Sequence, residues 1–245
     1  MKKIKFILFV VLNATLISCS DDAARQETID KLRALGVVQV PTIATPGATV
    51  QLTYYLGGPK GLTVTPTPYN DSEFFKYGTN ADVTLIDATP VEEIFGNSSL
   101  YTFQASFIAP ATPEVSAVIA AKGNARLRYG VDFRTPSGDY ETVIADALIY
   151  SPTAPQTEWV AQTVDISLPS TTAISGSTAI QGEISSPLDE PYKVGWFVSS
   201  GKVKVRNAIK TEWSEIGSGE QTLIFTARGS KSGAFAIKVL KVNVN

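Results

Sequence analysis

Short runs in which apolar and polar residues alternate recur along this chain. Val50, Leu52 and Tyr54 alternate with Gln51 and Thr53, and Leu127, Tyr129, Val131 and Phe133 alternate with Arg126, Arg128 and Asp132. Between Leu100 and Phe107, the residues Tyr101, Phe103 and Ala105 share one parity. A period of two places each set on one face of an extended strand. Turn residues separate the runs: Pro46-Gly47, Gly57 to Gly61, and Pro136-Ser137-Gly138-Asp139. The last of these predicts a hairpin between a strand over 125–133 and its partner over 140–150.

Other stretches are read from weaker patterns. Ile29, Leu32 and Leu35 are spaced three apart, which admits a helix over 27–35, but the β-rich Gly36 to Pro41 favours a strand over most of that segment. Leu62-Thr63-Val64 reads as a short strand stopped by Pro66 and Pro68. Tyr69 to Gly96 reads as long loops around one strand near 83–86, with Asn70-Asp71-Ser72 capping a short helix over 73–77. Val115 to Lys122 fits either a strand or a short helix.

Ser151 to Pro155 holds two prolines and no large apolar residue, and it marks a domain boundary. A second series of strands follows, over 164–169, 179–184, 192–198, 202–205, 208–213, 221–228 and 234–244. The last run breaks strict alternation, which predicts a bulge there. Short strands, frequent turns and the lack of a long amphipathic helix argue for an all-β fold. About seven strands in roughly 90 residues suits an immunoglobulin-like sandwich. The expected organisation is therefore two tandem immunoglobulin-like β-sandwich domains, 28–151 and 156–245. Trp196 falls in the third strand of the second. The run Gly195-Trp196-Phe197-Val198-Ser199-Ser200-Gly201 resembles bacterial surface Ig-like and PKD-like domains, in which a Trp-bearing strand enters a Ser/Gly turn. The Pro-Gly turn before Val50-Gln51-Leu52 resembles the opening of such modules.

The first residues follow a different logic. Lys2, Lys3 and Lys5 precede an apolar run to Ile17 that is broken by Asn13 and Thr15, then Leu16-Ile17-Ser18-Cys19. A positive head, a short apolar run and a small residue before a cut define a secretory signal. The run is too short for a spanning helix, which needs about 20 apolar residues. Leu-Ile-Ser-Cys resembles the lipobox of bacterial lipoproteins, and the chain is similar to lipoproteins built from two Ig-like modules. The resemblance implies a signal peptide over 1–18, lipid on Cys19, durable attachment by two or three acyl chains, and a tether over 19–27. At about 3.3 Å per residue, that tether reaches roughly 25 Å when extended. With Ser20 after the cysteine, the resemblance favours the outer membrane.

Removing the first 18 of 245 residues leaves 227, with three lysines fewer: 18 Lys and Arg against 23 Asp and Glu, a net charge of −5. A mildly acidic chain is a poor nucleic-acid binder. Cys19 is the only cysteine, so the body has no disulfide, and there is no histidine. Histidine triads, Cys–His dyads and histidine-bearing metal sites are excluded. No Gly-x-Ser-x-Gly elbow and no phosphate-binding loop occurs.

Adjacent acids at Glu92-Glu93 and Asp189-Glu190 read as solvated surface. Asp71, Glu73 and Asp82 are the candidates for a carboxylate hydrolase or a calcium-dependent carbohydrate binder. The better recognition candidates are the aromatics Tyr69, Phe74, Phe75 and Tyr77, set in an irregular stretch, against the alternative that they plug the first sandwich. The pattern favours a non-enzymatic envelope protein without cofactor. It would be held to the membrane through Cys19 and present its domains to a protein or glycan partner. A carboxylate enzyme or binder and a structural subunit of an envelope assembly stand as alternatives.

Overall fold

The computed structural model describes residues 28–68, 79–80, 82–153, 162–169, 176–186 and 189–245. The chain forms two tandem immunoglobulin-like β-sandwiches, each closed around its own core.

In the first, one sheet joins β1 (Arg33–Val40), β3 (Thr49–Pro59) and β8 (Ser98–Ile108). The far edge of β8 is shared by β7 (Val91–Phe95) and β6 (Thr84–Leu85). The facing sheet joins β2 (Ile43–Ala44), β10 (Tyr140–Tyr150) and β9 (Asn124–Arg134), with β4 (Thr65–Pro68) and β5 (Thr79–Asn80) along the other side of β9. The alternating residues of four strands meet in the middle. Val50, Leu52, Tyr54 and Leu56 lie against Leu127, Tyr129, Val131 and Phe133, with the odd-numbered residues of β8 and β10 completing the layers. Phe133 stacks between Tyr54 and Phe103, with ring centroids 5.5 and 5.2 Å away. The hairpin over 136–139 pairs β9 with β10 in unbroken register from Tyr140↔Arg134 to Tyr150↔Asn124.

Between β8 and β9 lies α1 (Pro113–Lys122), so the 115–122 segment resolves to a helix. The Thr112 side chain accepts a hydrogen bond from the Val115 amide, Pro113 starts the first turn, and Gly123 at φ +82° closes the last. Val115 and Ile119 seal the end of the core.

The second sandwich has one sheet in the order β11 (Thr163–Ser167), β12 (Ser177–Ser185), β15 (Lys210–Ser214), β14 (Lys202–Val203). The other runs β13 (Tyr192–Val198), β16 (Gly219–Gly229), β17 (Phe235–Val244). This four-plus-three order is the constant-type immunoglobulin topology. Trp196 is fully buried, its ring 4.5 Å from that of Phe225, and its Nε1 donates to the Ala208 carbonyl at 2.7 Å. Trp213 closes the other side, donating to the Ser200 carbonyl.

Several sequence expectations are corrected. The helical alternative does not form among the described residues 28–35, and the favoured strand appears as β1, beginning at Arg33, with Thr28 bridging Val198. The three-residue spacing there reflects two cores, since Leu32 enters the first sandwich while Ile29 and Leu35 face the second. The prolines at 66 and 68 do not stop a strand but sit within β4, an edge where a missing N–H costs little. The stretch over 91–95, read as loop, is β7, an edge strand with mostly exposed side chains. The bulge expected in the last strand is absent, because β16 and β17 pair without a break from Gly219↔Val244 to Arg228↔Phe235. The irregular pattern arises because β17 is covered on both faces. Leu240, Val242 and Val244 enter the domain core, and Ile237 and Val239 face the first sandwich. The bulge lies in β1 instead, where register slips between Ala34 and Gly36. It leaves Leu35 unpaired and buried toward the second domain.

Gly182 tests the second core. A Cβ there would lie 2.1 Å from the Phe225 ring. Gly182→Ala is expected to push that ring off Trp196 and destabilise the fold by about 1–3 kcal/mol, an overpacking cost, read as a lower urea midpoint.

Candidate functional site

The two sandwiches meet through a third apolar cluster. Phe197, Ile224 and Val239 stand side by side across β13, β16 and β17 on the face turned away from their own core. Ile29, Leu35, Phe95, Leu100 and Tyr55 of the first domain pack against them. The Tyr55 ring, which alternation sends outward, is thus half-covered by the neighbouring domain, and burial pushes its hydroxyl pKa up. Polar contacts ring the cluster. The Ile29 amide donates to the Val198 carbonyl at 3.1 Å, and Lys241 lies 3.6 Å from Glu93 and over the Phe95 ring. A Cβ on Gly36 would lie 2.4 Å from the Phe235 ring, so glycine permits the close approach there.

Along one side of this junction runs a groove, walled by β9 and β10 of the first domain and by the 229–233 turn of the second. Two adjoining cavities make it up, of about 310 and about 250 Å³, and they share Arg126, Leu148, Lys231 and Ser232. The turn is built on Glu190. Glu190 is only 7% exposed, and its carboxylate accepts from the Lys231 amide at 2.6 Å, the Ser232 amide at 2.9 Å and the Ser232 hydroxyl at 2.5 Å. A Cβ on Gly229 would lie 2.2 Å from that carboxylate, so only glycine fits there. Gln162 adds a second brace, donating to the carbonyls of Ala227 and Ala234. Burial pushes the Glu190 carboxyl up. The Ser232 hydroxyl and the two amides, with the Lys231 charge nearby, outweigh this and hold it below the ordinary carboxylate range.

The smaller cavity is cationic. Arg126, Arg128, Lys193, Arg228 and Lys231 line it against one acid, Asp146. Asp146 takes Arg128 Nε at 2.8 Å and Arg126 Nη1 at 3.3 Å. Arg228 crosses the junction to donate to the Ile144 carbonyl at 3.4 Å, and its guanidinium lies over the Phe235 ring. Lys193 and Lys231 are exposed, and neither forms an ion pair among the described residues. The larger cavity is balanced, with Arg126 and Lys231 against Asp189 and Glu190, and it adds Asn124, Tyr150, Ile43 and Leu148.

A further cavity of about 290 Å³ lies between Phe95–Ser98 and the loops carrying Ser199, Ser200 and Gln221. Its hydroxyls are spent internally, since both serines donate to Gln221 Oε1 and accept from the Thr222 and Gly217 amides.

Most residues singled out from sequence do not meet here. Cys19, the aromatics Tyr69, Phe74, Phe75 and Tyr77, and the acids Asp71 and Glu73 lie outside the described residues. Asp82 is exposed ahead of β6. Glu92, read as solvated, is exposed but engaged: it accepts from the Gly61 amide, Ser99 and Tyr101. Those bonds, the Gly61 amide first, lower its pKa. Its neighbour Glu93 turns to Lys241, as opposite faces of a strand require. Of the Asp189-Glu190 pair, Asp189 is exposed and Glu190 is buried. Periodicity misses Glu190 because its partners are loop amides 41 and 42 residues away. The sequence signal for the groove was the run Arg228-Gly229-Ser230-Lys231-Ser232-Gly233, a turn with two cations.

No protein-family model and no curated protein matches the chain. Among solved structures it is similar to the fibronectin(III)-like modules of Clostridium thermocellum CbhA, at 12% identity over 85% of this chain and 94% of that one, with a TM-score of 0.31. It is similar to the cadherin-like domains 1 to 4 of zebrafish RET at 9% identity over 89% of this chain and 52% of that one, with a TM-score of 0.31. A third is SGBP-B of the Bacteroides ovatus mixed-linkage glucan utilization locus, solved in complex with a mixed-linkage heptasaccharide. It shows 12% identity over 84% of this chain and 43% of that one, with a TM-score of 0.19. At such scores these likenesses carry no argument about function.

Glu190→Gln keeps the shape and removes the charge that the turn amides complement. It is expected to cost about 1–3 kcal/mol at pH 7. A carboxyl whose folded pKa is depressed contributes stability above its unfolded value, about 4.3, and loses it as pH falls through the folded pKa. The gap between wild type and Glu190→Gln should therefore narrow below about pH 4.3, read by urea denaturation at a series of pH values.

Proposed function

We propose that this chain is a lipid-anchored envelope protein that binds a partner outside the bilayer without catalysing a reaction. Acyl chains on Cys19 hold it, the outer membrane is the membrane concerned, and the two immunoglobulin-like domains form the binding body. The observation that supports a binding role is the groove at the junction. Both domains contribute its walls, its turn is braced by a buried carboxylate, and two of its cations, Lys193 and Lys231, form no ion pair among the described residues. Preformed concave sites with a few fixed polar groups are the usual form of a ligand site. The lipobox resemblance at Leu16-Ile17-Ser18-Cys19 supports the anchoring, and two or more chains suffice for stable attachment.

Cys19→Ala is the test. The variant is expected in the soluble fraction of lysed cells, without incorporation of labelled palmitate, and with the same urea midpoint as the anchored protein. Retention in the membrane pellet, or an unmodified Cys19 thiol in the native protein, would overturn the anchoring.

A further inference from the structure

We propose that the junction groove binds an acidic oligosaccharide, one whose sugars carry carboxylate or sulfate groups, with an anionic unit in the cavity of about 250 Å³ and a neighbouring unit in that of about 310 Å³. This rests on the binding role proposed above and names the chemistry of the partner.

The charge of the smaller cavity carries the inference. Five cations face one acid there, although the chain as a whole has a net charge of −2. Asp146 accounts for part of Arg126 and Arg128, and Arg228 is held by the Ile144 carbonyl. Lys193 and Lys231 remain, both from the second domain, one on β13 and one in the turn. An anion in that cavity would meet charge-assisted donors from lysine and arginine together.

The backbone around the groove argues for a glycan over an acidic peptide. A peptide that adds to a sheet needs an open strand edge. Here the open stretch of β10 is already covered, because Arg228 donates to the Ile144 carbonyl and Gly233 lies against that of Asp146. The five turn amides are engaged as well. Gly229 donates to Ala234, Ser230 to Pro191, Gly233 to Gly229, and those of Lys231 and Ser232 donate to Glu190. The turn amides are thus spent, and the donors the groove offers are side chains. The larger cavity supplies an amide, a phenol ring, a free-facing carboxylate and two aliphatic residues: Asn124, Tyr150, Asp189, Ile43 and Leu148. That mixture suits the hydroxyls and apolar face of a pyranose.

The test is calorimetric titration of the full chain in detergent with four probes: tetragalacturonate, a chondroitin sulfate tetrasaccharide, a neutral galactose tetrasaccharide and hexaglutamate. At least one acidic saccharide is expected to bind saturably, and comparison of the two separates carboxylate from sulfate recognition. The double reversal K193E/K231E should weaken that binding by roughly tenfold or more, the scale of one charge-assisted hydrogen bond, in protein that keeps a cooperative urea transition. K202E, a reversal on β14 in the other sheet of the second sandwich, should leave it unchanged, and added salt should weaken it. Equal affinity for the neutral tetrasaccharide, tighter binding of hexaglutamate, or indifference to K193E/K231E would overturn the acidic-sugar assignment while leaving a binding role in place. If none of the four probes binds, the assignment and the groove's binding role both fall.

Discussion

The apolar contact between the two sandwiches is the constraint on which the groove depends. A β-sandwich normally leaves the outer face of each sheet to water, with polar residues there. Here the outer face of the β13–β16–β17 sheet carries Phe197, Ile224 and Val239 in one row, and the first domain covers them. Full burial of a phenylalanine or isoleucine is worth about 1.5–3 kcal/mol each. This row can therefore offset the freedom lost when two linked domains dock. Sequence devices elsewhere are fitted to it: the slip in β1 that frees Leu35, and the glycines at 36 and 57 that let Phe235 and Ile29 approach the backbone.

Docking also decides what the polar residues nearby can do. Arg228 belongs to one domain and the carbonyl it reaches belongs to the other. Asp146 pairs with two arginines of its own sheet, and its backbone lies under the glycine of the neighbouring turn. With either domain alone these groups would face solvent as unremarkable surface charges of little energetic weight. Brought together they line a concavity in which charges of one sign gather and the surrounding protein lowers the screening.

Much of the fold was legible in the sequence because the inner faces alternate cleanly. Val50 to Leu56 and Leu127 to Phe133 were read as half-buried strands, and they are the two sides of the first core. The hairpin over 136–139 followed from turn chemistry, and Trp196 occupies the buried place expected of it. The misreadings share a cause. Ile29, Leu35 and the residues of β17 are patterned by the neighbouring domain as well as by their own, and superposing two burial patterns erases the period of either. β7 was missed for the opposite reason, being an edge strand with little buried, so that Val91, Glu92 and Glu93 carry no pattern at all. The candidate site was barely legible. Its carboxylate Glu190 gains its role only from the turn folded around it, and its cations come from strands far apart in the chain.

Thr28 and Ile29, where the described chain begins, are bonded to Val198 at the seam between the sandwiches. Load arriving along the N-terminal segment therefore enters the molecule at its waist, not at the tip of either half. A tug from that direction would be shared by both sandwiches at once.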